Sequence, residues 1–210
     1  MEKTAYITGA GAFTPRGFAP RASDAVIAAD GGYVSLRQFG IRPALVIGDM
    51  DSITGLPRGI ASLRFPRSKD LTDMALAIRL LQARGYRRFK LYGALGGRLD
   101  QSLANFHLLA GLSREGMRGI IIAPEMTALS VSGGILTLPP LSKGIRVSVF
   151  AWGGEAKGVT LHGLRYPLNE AAIDPFTPLG VSNEATGGPV KVLVRFGTLI
   201  VTVLQPGVQV

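Results

Sequence analysis

Eight aspartates punctuate this 210-residue chain, at positions 24, 30, 49, 51, 70, 73, 100 and 174, and six of them fall in four short motifs. The motifs are Ala29-Asp30-Gly31-Gly32, Gly48-Asp49-Met50-Asp51-Ser52, Lys69-Asp70-Leu71-Thr72-Asp73 and Gly96-Gly97-Arg98-Leu99-Asp100. Carboxylates gathered at one crevice repel one another and raise each other's pKa unless a cation sits among them. With oxygen ligands only, the cation that suits them is Mg²⁺, which keeps part of its water shell and bridges carboxylates to phosphate oxygens. In Gly-Asp-x-Asp-Ser, an extended backbone points the side chains of Asp49 and Asp51 to one face. Lys69 and Arg98 would offset phosphate charge, Arg98 through a two-pronged contact. Gly31-Gly32 and Gly93-Ala94-Leu95-Gly96-Gly97 permit a close backbone approach to phosphates or a base.

Each motif alone has a plainer reading. Asp70, Thr72 and Asp73 suit the capped, charge-complemented start of a helix. Asp30-Gly31 is a common turn, and Asp51-Ser52 a common helix N-cap. Capping does not account for four such motifs that hold most of the chain's aspartates. Gly9-Ala10-Gly11, by contrast, lacks the third glycine of a dinucleotide fingerprint and is set aside. His107, on a predicted helix, reads as a packed or surface histidine, and Trp152 as a core or interface residue.

The elements that must hold these residues follow from the hydrophobic pattern. Short apolar runs at 5–8, 25–28, 45–47, 63–65, 89–92 and 120–122 are bounded by Gly, Pro or Asp and suit buried parallel strands. Between them, residues 71–84 carry Leu71, Met74, Ala75, Ile78 and Leu81 on one helical stripe, with Gly85 as a stop, and a second helix spans 99–112. Alternation of this kind predicts an α/β layer with a parallel sheet. Three motifs then follow a strand and the fourth lies just beyond one, so the carboxylates converge at the C-terminal strand ends, where open parallel sheets bind ligands. After Ala123-Pro124 the texture becomes short β-like runs broken by Gly, Pro and Asn, which predicts an antiparallel sandwich or small barrel, with Gly197-Thr198 joining the last two strands as a hairpin. The expected division is 1–125 and 126–210.

Composition narrows the classes. No apolar run approaches the roughly 18 residues needed to span a bilayer, and the N-terminus does not read as a signal peptide. The absence of cysteine excludes disulfides and thiolate metal sites, leaving the cytoplasm as the default compartment. The net charge of +9 is spread along the chain with no recognition motif, so an anionic substrate explains it as well as nucleic acid would.

In this order the motifs resemble the thiamine pyrophosphokinase family. The likeness comprises Ala29-Asp30-Gly31-Gly32, Pro43 followed by Val46-Ile47-Gly48-Asp49-Met50-Asp51-Ser52, and Phe65-Pro66 leading to Lys69-Asp70-Leu71-Thr72-Asp73. It continues through Gly96-Gly97-Arg98-Leu99-Asp100 and Asn105 to Ser182-Asn183-Glu184 near the C-terminus. The resemblance implies an α/β catalytic domain followed by a β-sandwich domain that binds thiamine and dimerises. It implies a homodimer with active sites at its interface, and transfer of pyrophosphate from ATP to the hydroxyl of thiamine. By the same resemblance Asp49, Asp51 and Asp73 are the magnesium ligands, and Asp100 is a carboxylate near substrate or metal. Lys69, Thr72 and Arg98 are phosphate contacts, Asp30, Gly31, Gly32 and Asp70 belong to the nucleotide site, and Ser182 and Asn183 contact thiamine. Gln101 stands where many bacterial members have histidine, a variation in the substrate pocket that removes any argument for a histidine base there. The aspartates address ATP and not the acceptor, so a diphosphokinase for another heterocyclic alcohol, such as a hydroxymethyl-pterin, and a non-catalytic nucleotide or thiamine sensor are the competing readings.

Overall fold

Strand β1 (Thr4–Thr8) is buried along its whole length, and the chain around it is arranged to bury both of its faces. In this computed structural model, which describes residues 2–49, 59–66 and 70–205, β1 pairs in parallel with β2 (Ala25–Ala29) on one side and β5 (Arg88–Tyr92) on the other. β3 (Leu45–Gly48) and β4 (Ala61–Arg64) extend the sheet beyond β2, giving the order β5-β1-β2-β3-β4, with every pair in this row parallel. Helix α1 (Gly32–Gln38) follows β2, and α2 (Asp73–Ala83) precedes β5. Tyr33 and Leu36 of α1 pack on Ala28 and Val46 of the sheet. α2 buries Met74, Ala75, Ala77, Ile78 and Leu81, the stripe expected from its periodicity, and contacts β1, β2 and β3. The predicted strands and both predicted helices are present with ends shifted by a few residues.

The segment between β1 and β2 straps one face of this sheet. Phe18 packs edge-on against Tyr6 and Tyr92 at centroid distances of 5.1 and 4.9 Å. The two phenols donate to the backbone oxygens of Ala19 and Arg16, respectively. Burial raises the pKa of both hydroxyls, so they remain neutral donors. The strap ends at Asp24, whose side chain is 1 % exposed. Its carboxylate accepts from the backbone N–H of Thr4 (2.8 Å) and of Arg21 (2.9 Å) and pairs with the Arg21 guanidinium. Burial alone would raise the Asp24 pKa, but these bonds outweigh it and hold the carboxyl below its ordinary value.

Two units emerge from the packing: residues 1–105 with 121–124, and residues 106–120 with 125–210. The sequence predicted a single cut at 125. Helix α3 (Leu99–Arg114) instead begins in the first unit and ends in the second, and β6 (Arg118–Ile122) runs back, its last residues lying in the first unit. The C-terminal half of α3 sides with the later strands because it bonds to them. Ser130 Oγ donates to Leu109 O (2.7 Å), and a hydroxyl chain links Ser113, Ser132 and Thr198 in 2.8 Å steps.

The second unit is antiparallel and built on two long strands, β7 (Thr127–Pro140) and β12 (Pro189–Val203). β9 (Ala156–His162) pairs with the first half of β12, and β10 (Leu168–Ile173) with β9. β8 (Arg146–Ala151) pairs with the second half of β12, and β11 (Gly180–Glu184) with β8. Hydrogen bonding connects these strands through β12 in one branched antiparallel ladder, the antiparallel pairing expected of this half of the chain. Gly197-Thr198 is not a hairpin. β12 runs straight through it, with a register shift between Val194 and Thr198, because β7 is long enough to pair on both sides of the break. A glycine in a strand signals a bulge as readily as a turn, and the tertiary partner decides which. No helix among the described residues is long and apolar enough to cross a membrane.

Asp24→Asn should lower unfolding free energy by about 1–3 kcal/mol at neutral pH, the cost of weakening hydrogen bonds to a buried charged acceptor. Because the native carboxyl titrates below its unfolded value of about 3.9, the difference is fully present above that pH and fades as pH falls through the native pKa. Denaturant unfolding of both proteins from pH 7 down to about pH 3 would show the curves converging.

Candidate active site

The C-terminal ends of β1, β2, β3 and β5 are level, since Thr8 pairs with Ala28 and Tyr92, and Ala29 with Ile47. The residue after each strand therefore emerges at one rim: Gly9, Asp30, Asp49 and Gly93. All four line one cleft of about 670 Å³, formed wholly by the first unit. Asp70, Thr72 and Asp73, at the start of α2, complete its acidic side, and Arg98, Gln101 and Asn105 close it from α3 and the turn before it.

Asp30 sits at a turn that its sequence makes tolerable. Its backbone is left-handed (φ 44°), a region that aspartate enters more readily than most residues. The turn is held on both sides: Asp30 N–H donates to Ile47 O (2.7 Å), and Asp30 O accepts from Tyr33 N–H. Gly31 and Gly32 are not on the cleft wall, and Gly32 has a packing requirement: a Cβ there would overlap the carbonyl oxygen of Thr8. Glycine at this position lets α1 start against β1.

Thr72 is both a helix cap and a residue of the cleft wall. Its hydroxyl caps α2 by accepting from Ala75 N–H (3.2 Å), and the residue lines the cleft. Asp73 follows in the first turn, where the helix dipole favours negative charge. Lys69, Met50, Asp51 and Ser52 lie outside the described residues, so the second member of the Gly-Asp-x-Asp-Ser pair and the predicted lysine contact have no place in this geometry.

Arg98 and Asp100 are committed to each other. The guanidinium donates through both Nη2 (2.6 Å) and Nε (3.1 Å) to the carboxylate, which also accepts from Gln101 N–H. Arg98 lines the cleft; Asp100 does not. These bonds hold the Asp100 carboxyl below its ordinary range and raise Arg98. A carboxylate so engaged is a weak proton acceptor.

Three glycine-loop residues that the sequence reading passed over belong to the site. Gly9, Ala10 and Gly11 line the cleft beside Gly93, Ala94 and Gly96, and the two loops are bonded together by Gly11 N–H to Gly93 O and Ala12 N–H to Leu95 O. A Cβ on Gly93 would overlap the Gly9 carbonyl. The usable signal was position, directly after the first strand, as Asp30 stands after the second.

In the second unit, Asn183 is 4 % exposed and both its amide nitrogen and its amide oxygen are hydrogen-bonded. Its Nδ2 donates to Tyr166 O (2.6 Å), and its Oδ1 accepts from the backbone N–H groups of Tyr166 and Glu184. It forms part of a small pocket of about 110 Å³ with Tyr166, Leu168 and Leu179 among its walls. Ser182 is exposed in a left-handed conformation (φ 58°), its N–H bonded to Ser148 Oγ. Trp152 donates through Nε1 to His107 Nδ1 (3.1 Å) and packs against Phe106, which accounts for both of those side chains within the second unit.

Against this geometry, residues 20–121 match the family described as thiamin pyrophosphokinase, catalytic domain, and residues 135–199 its vitamin B1 binding domain. The chain belongs to the thiamine pyrophosphokinase family of enzymes. The thiamine pyrophosphokinase of Bacillus subtilis (strain 168) is 29 % identical over 171 residues, covering 75 % of this chain and 77 % of that protein. The fold is shared with the crystal structure of a B. subtilis thiamine pyrophosphokinase (TM-score 0.86, 24 % identity, 96 % of this chain and 99 % of that one). It is shared as well with thiamin pyrophosphokinase from Candida albicans (TM-score 0.81, 14 % identity, 96 % and 88 %). The first matched region contains every described residue of the acidic cleft from Asp30 to Asn105.

Thr72→Ala should cost about 1 kcal/mol of stability by removing the cap, whereas Thr72→Ser should restore it. Thermal melts of the two variants, with activity assayed alongside, separate the cap from any role of the hydroxyl in the cleft.

Proposed function

We propose that this chain transfers a pyrophosphoryl group from ATP to the hydroxyethyl oxygen of thiamine, giving thiamine diphosphate and AMP, with Mg²⁺ in the cleft. The observation that carries the reading is the convergence of Asp30, Asp49, Asp70 and Asp73 on one cleft, faced by Arg98, within the region that matches the catalytic domain. Vitamin B1 is the ligand named for the second matched region, which supports thiamine as acceptor.

The donor set fits a hard cation. The cleft offers carboxylate and backbone oxygens, with no histidine on its wall, and one oxygen each of Asp30 and Asp73 is shut off from solvent. Shielded anionic oxygens around one space favour a doubly charged ion with oxygen preference. Among the described residues no group of three or more His, Cys, Asp or Glu is close enough to hold a metal, and Asp51, one of the three proposed ligands, lies outside them. Asp49, Asp51 and Asp73 are therefore assigned as ligands on the family pattern together with the position of Asp49 and Asp73 on the cleft. A bound Mg²⁺ would neutralise charge on the phosphate chain.

In the proposed reaction a new bond forms between the thiamine hydroxyl oxygen and the β-phosphorus. The bond from that phosphorus to the oxygen bridging the α-phosphorus breaks, and AMP leaves with the bridging oxygen. The hydroxyl proton passes to solvent or to a cleft carboxylate. Such transfers depend mainly on alignment and charge neutralisation. Arg98, on the cleft wall, is the described cation that would meet phosphate, with Asp100 setting its orientation, and Lys69 is proposed as the second. The hydroxyl of Thr72 and the amide of Gln101 add neutral contacts. We further propose a homodimer in which Ser182 and Asn183 serve the thiamine site.

Protein mixed with Mg-ATP and thiamine should yield AMP and thiamine diphosphate in equal amounts, and a chelator should stop both. Asp49→Ala and Asp73→Ala should each lower turnover by at least about a hundredfold while far-UV circular dichroism stays that of the parent. Near-parental AMP formation by either variant at ordinary magnesium would remove it from the metal site.

A further inference from the structure

The cleft is chemically divided. Its acidic side is carried by the turns after β2 and β3 and the start of α2, and the opposite side by the loops after β1 and β5. That second side is built from Gly9, Ala10, Gly11, Gly93, Ala94 and Gly96, and presents no charge and little side-chain bulk. Two amides of α3, Gln101 and Asn105, four residues apart and hence on one helix face, also line the cleft.

Asn105 is the unusual one. It is 6 % exposed, and its Nδ2 donates to the backbone oxygen of Ala94 at 2.6 Å. That bond sets the amide's orientation, because an oxygen turned the same way would oppose a carbonyl. Oδ1 is then directed away from Ala94 and accepts no hydrogen bond from the described residues, while Asn105 itself forms part of the cleft wall. An amide oxygen held in one orientation on the cleft wall, with no donor from the described residues, offers its lone pairs to a ligand's N–H. Around it the loops after β1 and β5 contribute glycine and alanine, which let a planar ring lie close to the backbone.

We infer that Asn105 Oδ1 is a specificity-determining acceptor for the exocyclic amine of a bound nitrogen heterocycle, oriented by the Nδ2 bond to Ala94. The inference rests on the functional reading above, and two substrates of that reaction carry such an amine: the adenine of ATP and the aminopyrimidine of thiamine. Replacing either amine by an oxo group would set carbonyl against carbonyl at Oδ1, the arrangement that rejects an isostere most strongly.

Initial rates of product formation with ATP or inosine triphosphate, each paired with thiamine or its 4′-oxo analogue, separate the sources. The parent enzyme should discriminate against one of the two oxo compounds by at least about tenfold. Asn105→Ala should bring that ratio close to one and leave the other ratio unchanged, which identifies the heterocycle. Asn105→Asp keeps an acceptor oxygen but loses the Ala94 bond, so it should slow all substrate pairs by a common factor while retaining the discrimination. Should Asn105→Ala fail to show a cooperative thermal melt, Asn105→Ser is read in its place. A parent enzyme that uses both oxo compounds within about twofold of their amino parents overturns the inference without any variant. So does an Asn105→Ala variant that loses rate equally on every pair, since Asn105 would then only anchor the loop. No product from ATP and thiamine with the parent enzyme overturns the functional reading itself; product with unchanged ratios overturns only the role of Asn105.

Discussion

Everything at the cleft depends on β1 being hydrogen-bonded in parallel to two neighbours that lie far apart in the chain. β2 arrives early and β5 only after β3, β4 and α2 have been laid down, so the sheet grows to one side of β1 and then switches to the other. The parallel register levels the strand ends and places the following residues at one rim. A slip of one residue in β2 or β3 would turn the side chains before Asp30 or Asp49 to the wrong face, since strand side chains alternate. The buried, β-branched and small residues of these strands make such a slip costly.

The loops at that rim are held by backbone interactions that tolerate few residue types. Asp30 adopts a left-handed turn because its N–H and C=O are both committed, and Gly32 admits α1 directly against Thr8. The loops after β1 and β5 brace each other through backbone bonds and through the Asn105 amide, which ties the second loop to α3. The acidic side chains of the cleft are thus carried on turns that backbone pairing fixes in place.

Much of the first unit was legible in the residue pattern. Short apolar runs bounded by Gly, Pro and Asp mark buried parallel strands because both faces are covered, and the stripe from Met74 to Leu81 marks α2 because only one face is. The cleft position of Asp30, Asp49, Asp70 and Asp73 followed from that strand reading, and that of Thr72 and Gln101 from the family resemblance, whereas Asp100, expected with the other carboxylates, does not line the cleft. The second unit was harder to read. Its long strands are interrupted by glycines that the sequence presents as breaks, and whether a glycine ends a strand or bulges it depends on a partner far away in the chain. β7 and β12 are continuous for that reason, and the helix that carries Asn105 and His107 divides between units because its bonding partners do.

By itself, then, the sequence determined the residues available and the family: grouped aspartates, an arginine among them and the ordered motifs of the thiamine pyrophosphokinases. These are carried by residue identity and spacing, which are local. Only the tertiary structure decided how the groups are used. It set Arg98 on the cleft and paired it with Asp100, packed Gly32 against Thr8, brought Gly9-Ala10-Gly11 to the cleft wall, and anchored the Asn105 amide on Ala94. Those outcomes depend on which backbone oxygen lies opposite which side chain, and that is settled by packing between segments far apart in the sequence.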